Sequence, residues 1–199
     1  KEKLLTLWQD IVTRSGLQIS FGTRMERIEA ADDGYRIETK NEAFNAGAVL
    51  LAIGRRGTPR KLGVPGEELP KVVYRLIEAA QYRGQRVLVV GGGDSAIEAA
   101  LACVAEPGTT VTLAYRGDAF NRVKAKNRER LETARAERRV DVQLKAEIQR
   151  ILPDGVELTA DGAPVTVGND AVIVQAGGVL PTALLRELGV SVETKYGTA

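Results

Sequence analysis

The chain has 199 residues, 44% apolar and 27% charged, with a formal net charge of +2; that length buries a full core in one or two domains of ordinary globular composition. The small charge argues against nucleic acid or a membrane surface as partner, no apolar run is long enough for a bilayer span, and no signal-peptide pattern opens the chain, so a cytoplasmic location is expected. With no histidine and one cysteine, Cys103, Ser-His and Cys-His nucleophile schemes and most zinc sites are excluded, so neither a catalytic side chain nor a metal site is expected and any chemistry falls to a cofactor.

A first helix is predicted over residues 1–15, with Leu4, Leu5, Trp8, Ile11 and Val12 on one face, Trp8 as core or covered surface. Strand-like runs follow at Leu17–Phe21, Tyr35–Thr39 and Ala48–Ile53, with Asp32-Asp33-Gly34 turning between the first two. Residues 57–70 carry Gly57, Pro59, Gly63, Pro65, Gly66 and Pro70, the composition of a linker or elbow. An amphipathic helix is predicted around 71–82, then an apolar strand from Arg86 to Val90. Three glycines turn this strand into an alanine-rich helix, in which Cys103 shares a face with Ile97, Ala100 and Val104 as a core thiol.

A second strand is predicted at Thr110–Tyr115. The basic stretch from Arg122 then continues helically to Arg139, with Glu129, Glu132 and Glu137 interleaved as on a solvated face. Val140–Leu144 reads as a third strand. Ile148–Leu152, Val156–Leu158 and Val165–Val167 form an antiparallel meander, and Ala171–Val174 is the next buried strand. A small helix at 182–188 and an extended tail close the chain. The expected fold is α/β, with a self-sufficient three-layer domain over roughly residues 64–168. The first helix and its strands make only a thin layer that needs a further partner, for which a second copy in a homodimer is one candidate.

The strand, glycine turn and helix at 86–100 occur in the order a dinucleotide pyrophosphate requires. Gly91 permits the sharp turn. Gly93 lets backbone approach the phosphates without a Cβ between them, and Ala96 is the small residue where helix meets strand. Gly91, Gly92, Gly93, Asp94, Ser95 and Ala96 are therefore the candidate pyrophosphate site, because the first amides of a helix are unpaired and lie at the positive end of its dipole.

Five motifs coincide in order: Val49–Pro59 with Ala52-Ile53-Gly54, Leu62–Glu67, Val90–Ala96, Tyr115–Arg122, and Asp170–Pro181 with Gly177-Gly178. In this order the chain resembles the two-dinucleotide-domain flavoproteins, specifically the thioredoxin-reductase-like branch of FAD- and NAD(P)H-dependent pyridine nucleotide oxidoreductases. That branch includes thioredoxin reductases, ferredoxin/flavodoxin–NADP reductases and bacillithiol-disulfide-reductase-like proteins. The resemblance implies a Rossmann-like NAD(P)-binding domain, parallel sheet plus antiparallel meander, at residues 61–169. It would be inserted between partial FAD-domain segments at 1–60 and 170–199. Ala52, Ile53 and Gly54 match the segment beside the flavin, Gly177 lies in the closing motif, and Glu98 is expected towards the nicotinamide.

Two departures qualify the resemblance. The region corresponding to the Cys-x-x-Cys of thioredoxin reductases, Val73–Tyr82, holds no cysteine, so disulfide reduction by that dithiol is excluded. The N-terminal FAD-binding glycine turn and the C-terminal Gly-Asp flavin segment are missing. The chain is thus expected to be an internal piece of a longer flavoprotein, inactive alone. Arg116 and Arg122, beyond the second strand, suit the 2′-phosphate of NADP, whereas Asp118 would suit the ribose of NAD; the expected cofactors are NADP, with NAD as the alternative, and FAD in the whole protein. The terminal electron acceptor stays open among a disulfide, ferredoxin, flavodoxin and quinone. The rival reading is a non-catalytic NAD(P)-sensing or interaction module.

Overall fold

The structure, a computed structural model, describes residues 2–53 and 58–193; Gly54 and the tail beyond residue 193 lie outside the described residues. The chain divides into two compact units, residues 1–53 with 182–199, and residues 54–181.

In the first unit, helix α1 (Glu2–Ser15) precedes strands β1 (Met25–Ala31), β2 (Gly34–Thr39) and β3 (Ala43–Ala46), an antiparallel sheet in the order β1-β2-β3. The turn at Asp32-Asp33-Gly34 is where the sequence put it, but the strand before it is Met25–Ala31, whose charges at Glu26, Arg27 and Glu29 mask its alternation. Leu17–Phe21 and Ala48–Ile53 are not strands: among the described residues neither run finds a neighbour to complete its backbone ladder. Trp8 is 56% exposed, not covered, and Leu4, Leu5 and Leu7 of the same helix are exposed with it.

The second unit opens with β4 (Thr58–Pro59) and β5 (Val72–Val73), then a short 3₁₀ turn at Ala79–Tyr82. The helix expected over 71–82 is absent because Val72 and Val73 pair in parallel with Val172 and Ile173 at the edge of a sheet. Two β-branched residues thereby exchange a helical turn for tertiary hydrogen bonds. Strand β6 (Arg86–Val90), helix α2 (Asp94–Val104), β7 (Thr110–Ala114), helix α3 (Ala125–Ala136) and β8 (Val140–Gln143) follow. Next come β9 (Ala146–Ile151), β10 (Gly155–Ala160), β11 (Ala163–Gly168), β12 (Ala171–Val174) and β13 (Gly178–Val179). Helix α4 (Thr182–Glu187) then returns the chain to the first unit.

The parallel sheet runs β5-β12-β6-β7-β8, and β9, β10 and β11 form the antiparallel meander. Alternation along each buried strand explains the three layers. Val87, Val89, Val111, Leu113 and Ile173 join the α2 and α3 side of the core through Ile97, Ala100, Cys103 and Leu131. Leu88, Val90, Ala114, Val172 and Val174 point the other way, onto Ile151, Val156 and Leu158 of the meander. Both sheet faces are covered, which is why these strands read as continuous apolar runs.

The chain was expected to leave this domain at residue 170, but β12 lies between β5 and β6, so the unit extends to Pro181. Its first boundary likewise falls at Ile53, not residue 60, because β4 pairs antiparallel with β13. Among the described residues no helix is long and apolar enough to cross a membrane.

Candidate functional site

The parallel strands β6, β7, β12 and β5 end on one edge of the sheet, and the glycine turn stands there. The turn is built by contacts on three sides. Gly91 has φ +149°, its amide donates to Ala114 O at 2.9 Å, and a Cβ there would lie 2.4 Å from Gln175 O. A Cβ on Gly92 would stand 2.1 Å from the Tyr115 ring. Gly93 is different: a Cβ would meet nothing within 4 Å. The first two glycines thus serve packing, and the third faces open space, as a backbone approached by a ligand must.

Gly93 is the N-cap of α2 and offers no side-chain cap. Its carbonyl accepts from the amides of Ala96 at 3.0 Å and Ile97 at 3.2 Å. Among the described residues, the amides of Gly93, Asp94 and Ser95 meet no protein acceptor, which leaves convergent donors at the positive end of an 11-residue helix. Ala96 is fully buried where α2 crosses β6, and would stand 3.1 Å from a Cβ on Gly91.

The loop between β7 and α3 starts and ends at this helix start. Tyr115 packs against Gly92 and Gly117 and stacks on Phe120, with ring centroids 5.3 Å apart. At the other end Lys124 N donates to Asp94 Oδ1 at 3.1 Å. Arg116 and Arg122 are exposed and sit one and two residues inside these anchors. The next loop braces the same place, for Lys145 N donates to Gly117 O at 2.9 Å and its Nζ meets Asp161 Oδ1 at 2.7 Å.

Two groups escaped the sequence reading. Asn127 Nδ2 donates to Asp94 Oδ1 at 2.7 Å and to Glu98 Oε1 at 2.9 Å, tying α3 to α2. Glu98, expected towards the nicotinamide, is therefore engaged from the α3 side. Arg128 Nη2 donates to the carbonyls of Phe120 at 3.0 Å and Val123 at 3.3 Å, where the sequence suggested the start of a solvated face. Further along α3 and just past its end, the solvated reading agrees with Arg135 beside Glu132 and Arg139 beside Glu137. Interleaved charges do not reveal which cation turns back to a carbonyl, so the sequence held no signal for Arg128.

The remaining candidates lie elsewhere. Ala52 and Ile53 are exposed residues of the first unit. Gly177 turns the chain after β12 with φ +86°, and its carbonyl accepts from Arg60 N at 3.0 Å. In the elbow before β5, the Glu67 carboxylate accepts from the Gly63 amide at 2.8 Å, from the Leu62 amide and from the Tyr74 hydroxyl. Burial opposes its charge, but these donors and nearby Lys61 outweigh burial and hold it below the usual carboxylate range. Cys103 is fully buried, which pushes its thiol up to about 11 and leaves it no thiolate at neutral pH.

Residues 1–198 match the sequence profile of the pyridine nucleotide-disulphide oxidoreductases. A ferredoxin–NADP reductase of Thermus thermophilus is 32% identical over 185 residues, covering 87% of this chain and 55% of that protein. A bacilliredoxin reductase of Bacillus subtilis is 29% identical over 163 residues, covering 81% of this chain and 50% of that protein. Among solved structures, the bacillithiol disulfide reductase of Bacillus cereus superimposes with a TM-score of 0.87 at 26% identity, covering 96% of this chain and 61% of that one. The chain thus spans little more than half the length of the curated relatives it matches.

Proposed function

This chain belongs to the pyridine nucleotide-disulphide oxidoreductase family, and from that premise we propose that it is the NAD(P)H-binding portion of an FAD-dependent oxidoreductase. Bound together, NADPH and FAD supply the hydride chemistry, and electrons leave to a further acceptor. The observation that carries the reading is the open start of α2: donors at Gly93, Asp94 and Ser95 converge where a side chain would find nothing. Such a cradle fits a pyrophosphate, whose charge the amides and the helix dipole stabilise.

The chain's own residues bind and orient. Gly91 and Gly92 shape the turn, Gly93 to Ala96 line it, and the guanidinium groups of Arg116 and Arg122 take the 2′-phosphate as planar, permanently charged forks. Asp94 and Glu98 hold α3 through Asn127, and Glu98 keeps its proposed place towards the nicotinamide. Ala52, Ile53, Gly54 and Gly177 remain the proposed flavin-side positions. The similarity to two reductases favours an enzyme over a nucleotide-sensing module. Cys103, buried and single, offers no dithiol for a disulfide acceptor.

The test is a parallel titration of the purified chain with NADPH and NADH. NADPH is expected to bind more tightly, and Gly93→Val is expected to abolish binding while the chain stays folded, since the position is open. Retained affinity in Gly93→Val would sink the assignment.

A further inference from the structure

Resting on the NADPH reading above, we propose that Asn127 and Arg128, neighbours on the first turn of α3, are positioning residues that set the loop from Arg116 to Lys124 for recognition of a 2′-phosphate. Neither reaches the ligand; both act through the backbone that carries Arg116 and Arg122.

Asp94 and Glu98 stand one turn apart on the same face of α2, where two carboxylates repel. Asn127, 7% exposed, divides its two amide hydrogens between them, at 2.7 and 2.9 Å. The Lys124 amide adds a third bond, to Asp94 Oδ1 at 3.1 Å. The consequence is electrostatic as well as mechanical. An acidic first residue on α2 stands beside the very amides that would receive an anion. Asn127 and the Lys124 amide engage that carboxylate from the α3 side, so it is satisfied away from the phosphate and at the same time caps the start of α3.

Arg128 fixes the other half of the loop. Its Nη2 bonds to the carbonyls of Phe120 and Val123 bracket Arg122, and Phe120 is stacked in turn on Tyr115 beside Gly92. Loop, turn and both helix starts therefore form one hydrogen-bonded and stacked set. An arginine on a loop already ordered by the protein binds phosphate without the entropy cost of ordering the loop. NADPH and NADH differ only in that phosphate, so loss of this order falls on one cofactor far more than the other.

The experiment is isothermal titration of NADPH and NADH into the wild-type chain and into Asn127→Ala and Arg128→Ala, with the melting midpoint of each variant recorded. Each variant is expected to weaken NADPH about tenfold and NADH by less than about twofold, the scale of one charge-assisted hydrogen bond. Equal losses for both cofactors would mark a merely structural role and overturn the inference. So would unchanged NADPH affinity in Arg128→Ala, an exposed position that decides the matter even if Asn127→Ala does not fold. A wild-type chain that binds both cofactors equally would overturn the NADPH reading itself, and this inference with it.

Discussion

Of three consecutive glycines the first two serve packing and the third faces open space, and substitution separates Gly92 from Gly93. Alanine at Gly92 drives its Cβ into the Tyr115 ring, which is held by Phe120 and cannot withdraw freely. Gly92→Ala is therefore expected to destabilise the chain by about 1–3 kcal/mol, the usual cost of overpacking. Alanine at Gly93 touches nothing, so the unfolding free energy of Gly93→Ala should stay within about 0.5 kcal/mol of wild type. Chemical denaturation of the two variants side by side checks the contrast, and equal destabilisation would refute it. The sequence motif assigns the turn to Gly91 and the phosphate approach to Gly93; the Tyr115 ring folded against Gly92 adds that the middle glycine is required by packing.

Among the elements, the joint between β6 and β12 carries a pH dependence of defined sign. Arg86 begins β6 and Asp170 precedes β12; their side chains meet at 2.6 and 3.1 Å, and Asp170 Oδ2 also accepts from the Arg86 amide at 2.8 Å. Hydrogen bonds from the Arg86 side chain and backbone lower the Asp170 carboxyl from 3.8 to about 2. Because the folded value lies below the unfolded one, the stabilisation is complete above about pH 4 and is lost as pH falls through 2. Asp170→Asn should therefore lower the melting midpoint at neutral pH, and its gap to wild type should narrow between pH 4 and 2. A gap independent of pH would show that the ion pair does not supply it. Ala171–Val174, read from the sequence as a buried strand, is a central one: it ladders to β6 on one side and β5 on the other, and this clamp stands at its start.

The two units differ in how much they bury. Every buried apolar residue among the described ones lies between Tyr82 and Val174, whereas the first unit leaves Leu5, Trp8, Phe21 and Leu50 exposed, Phe21 at 88%. Without a core, local opening costs little. Hydrogen exchange of the purified chain should be fast in β1, β2 and β3 and slowest in β6, β12 and α2; protection in β1 to β3 equal to that of β6 would mean that a further partner covers the first unit. A concentration-dependent rise in that protection would identify the partner as a second copy, the candidate suggested by the thin first layer.

What the sequence determined by itself was whatever local pattern dictates. The apolar runs at Arg86–Val90 and Thr110–Ala114, the turn-punctuated meander and the order of glycine turn and helix each follow from short-range periodicity and from backbone that only glycine permits. They placed the three-layer α/β domain, and the ordered motifs pointed to the family. The tertiary structure decided what depends on contacts between distant residues. Val72–Val73 became an edge strand because Val172 was there to pair with it. Leu17–Phe21 finds no strand to pair with among the described residues. Asn127 acquired its role because α3 returns to the start of α2, and Arg128 because the loop before α3 folds its carbonyls back towards that helix. Propensity and spacing act over a few residues, while the sheet ladders and the carboxylates shared through Asn127 join positions about thirty apart or more in the chain, and no local pattern encodes which of those will meet.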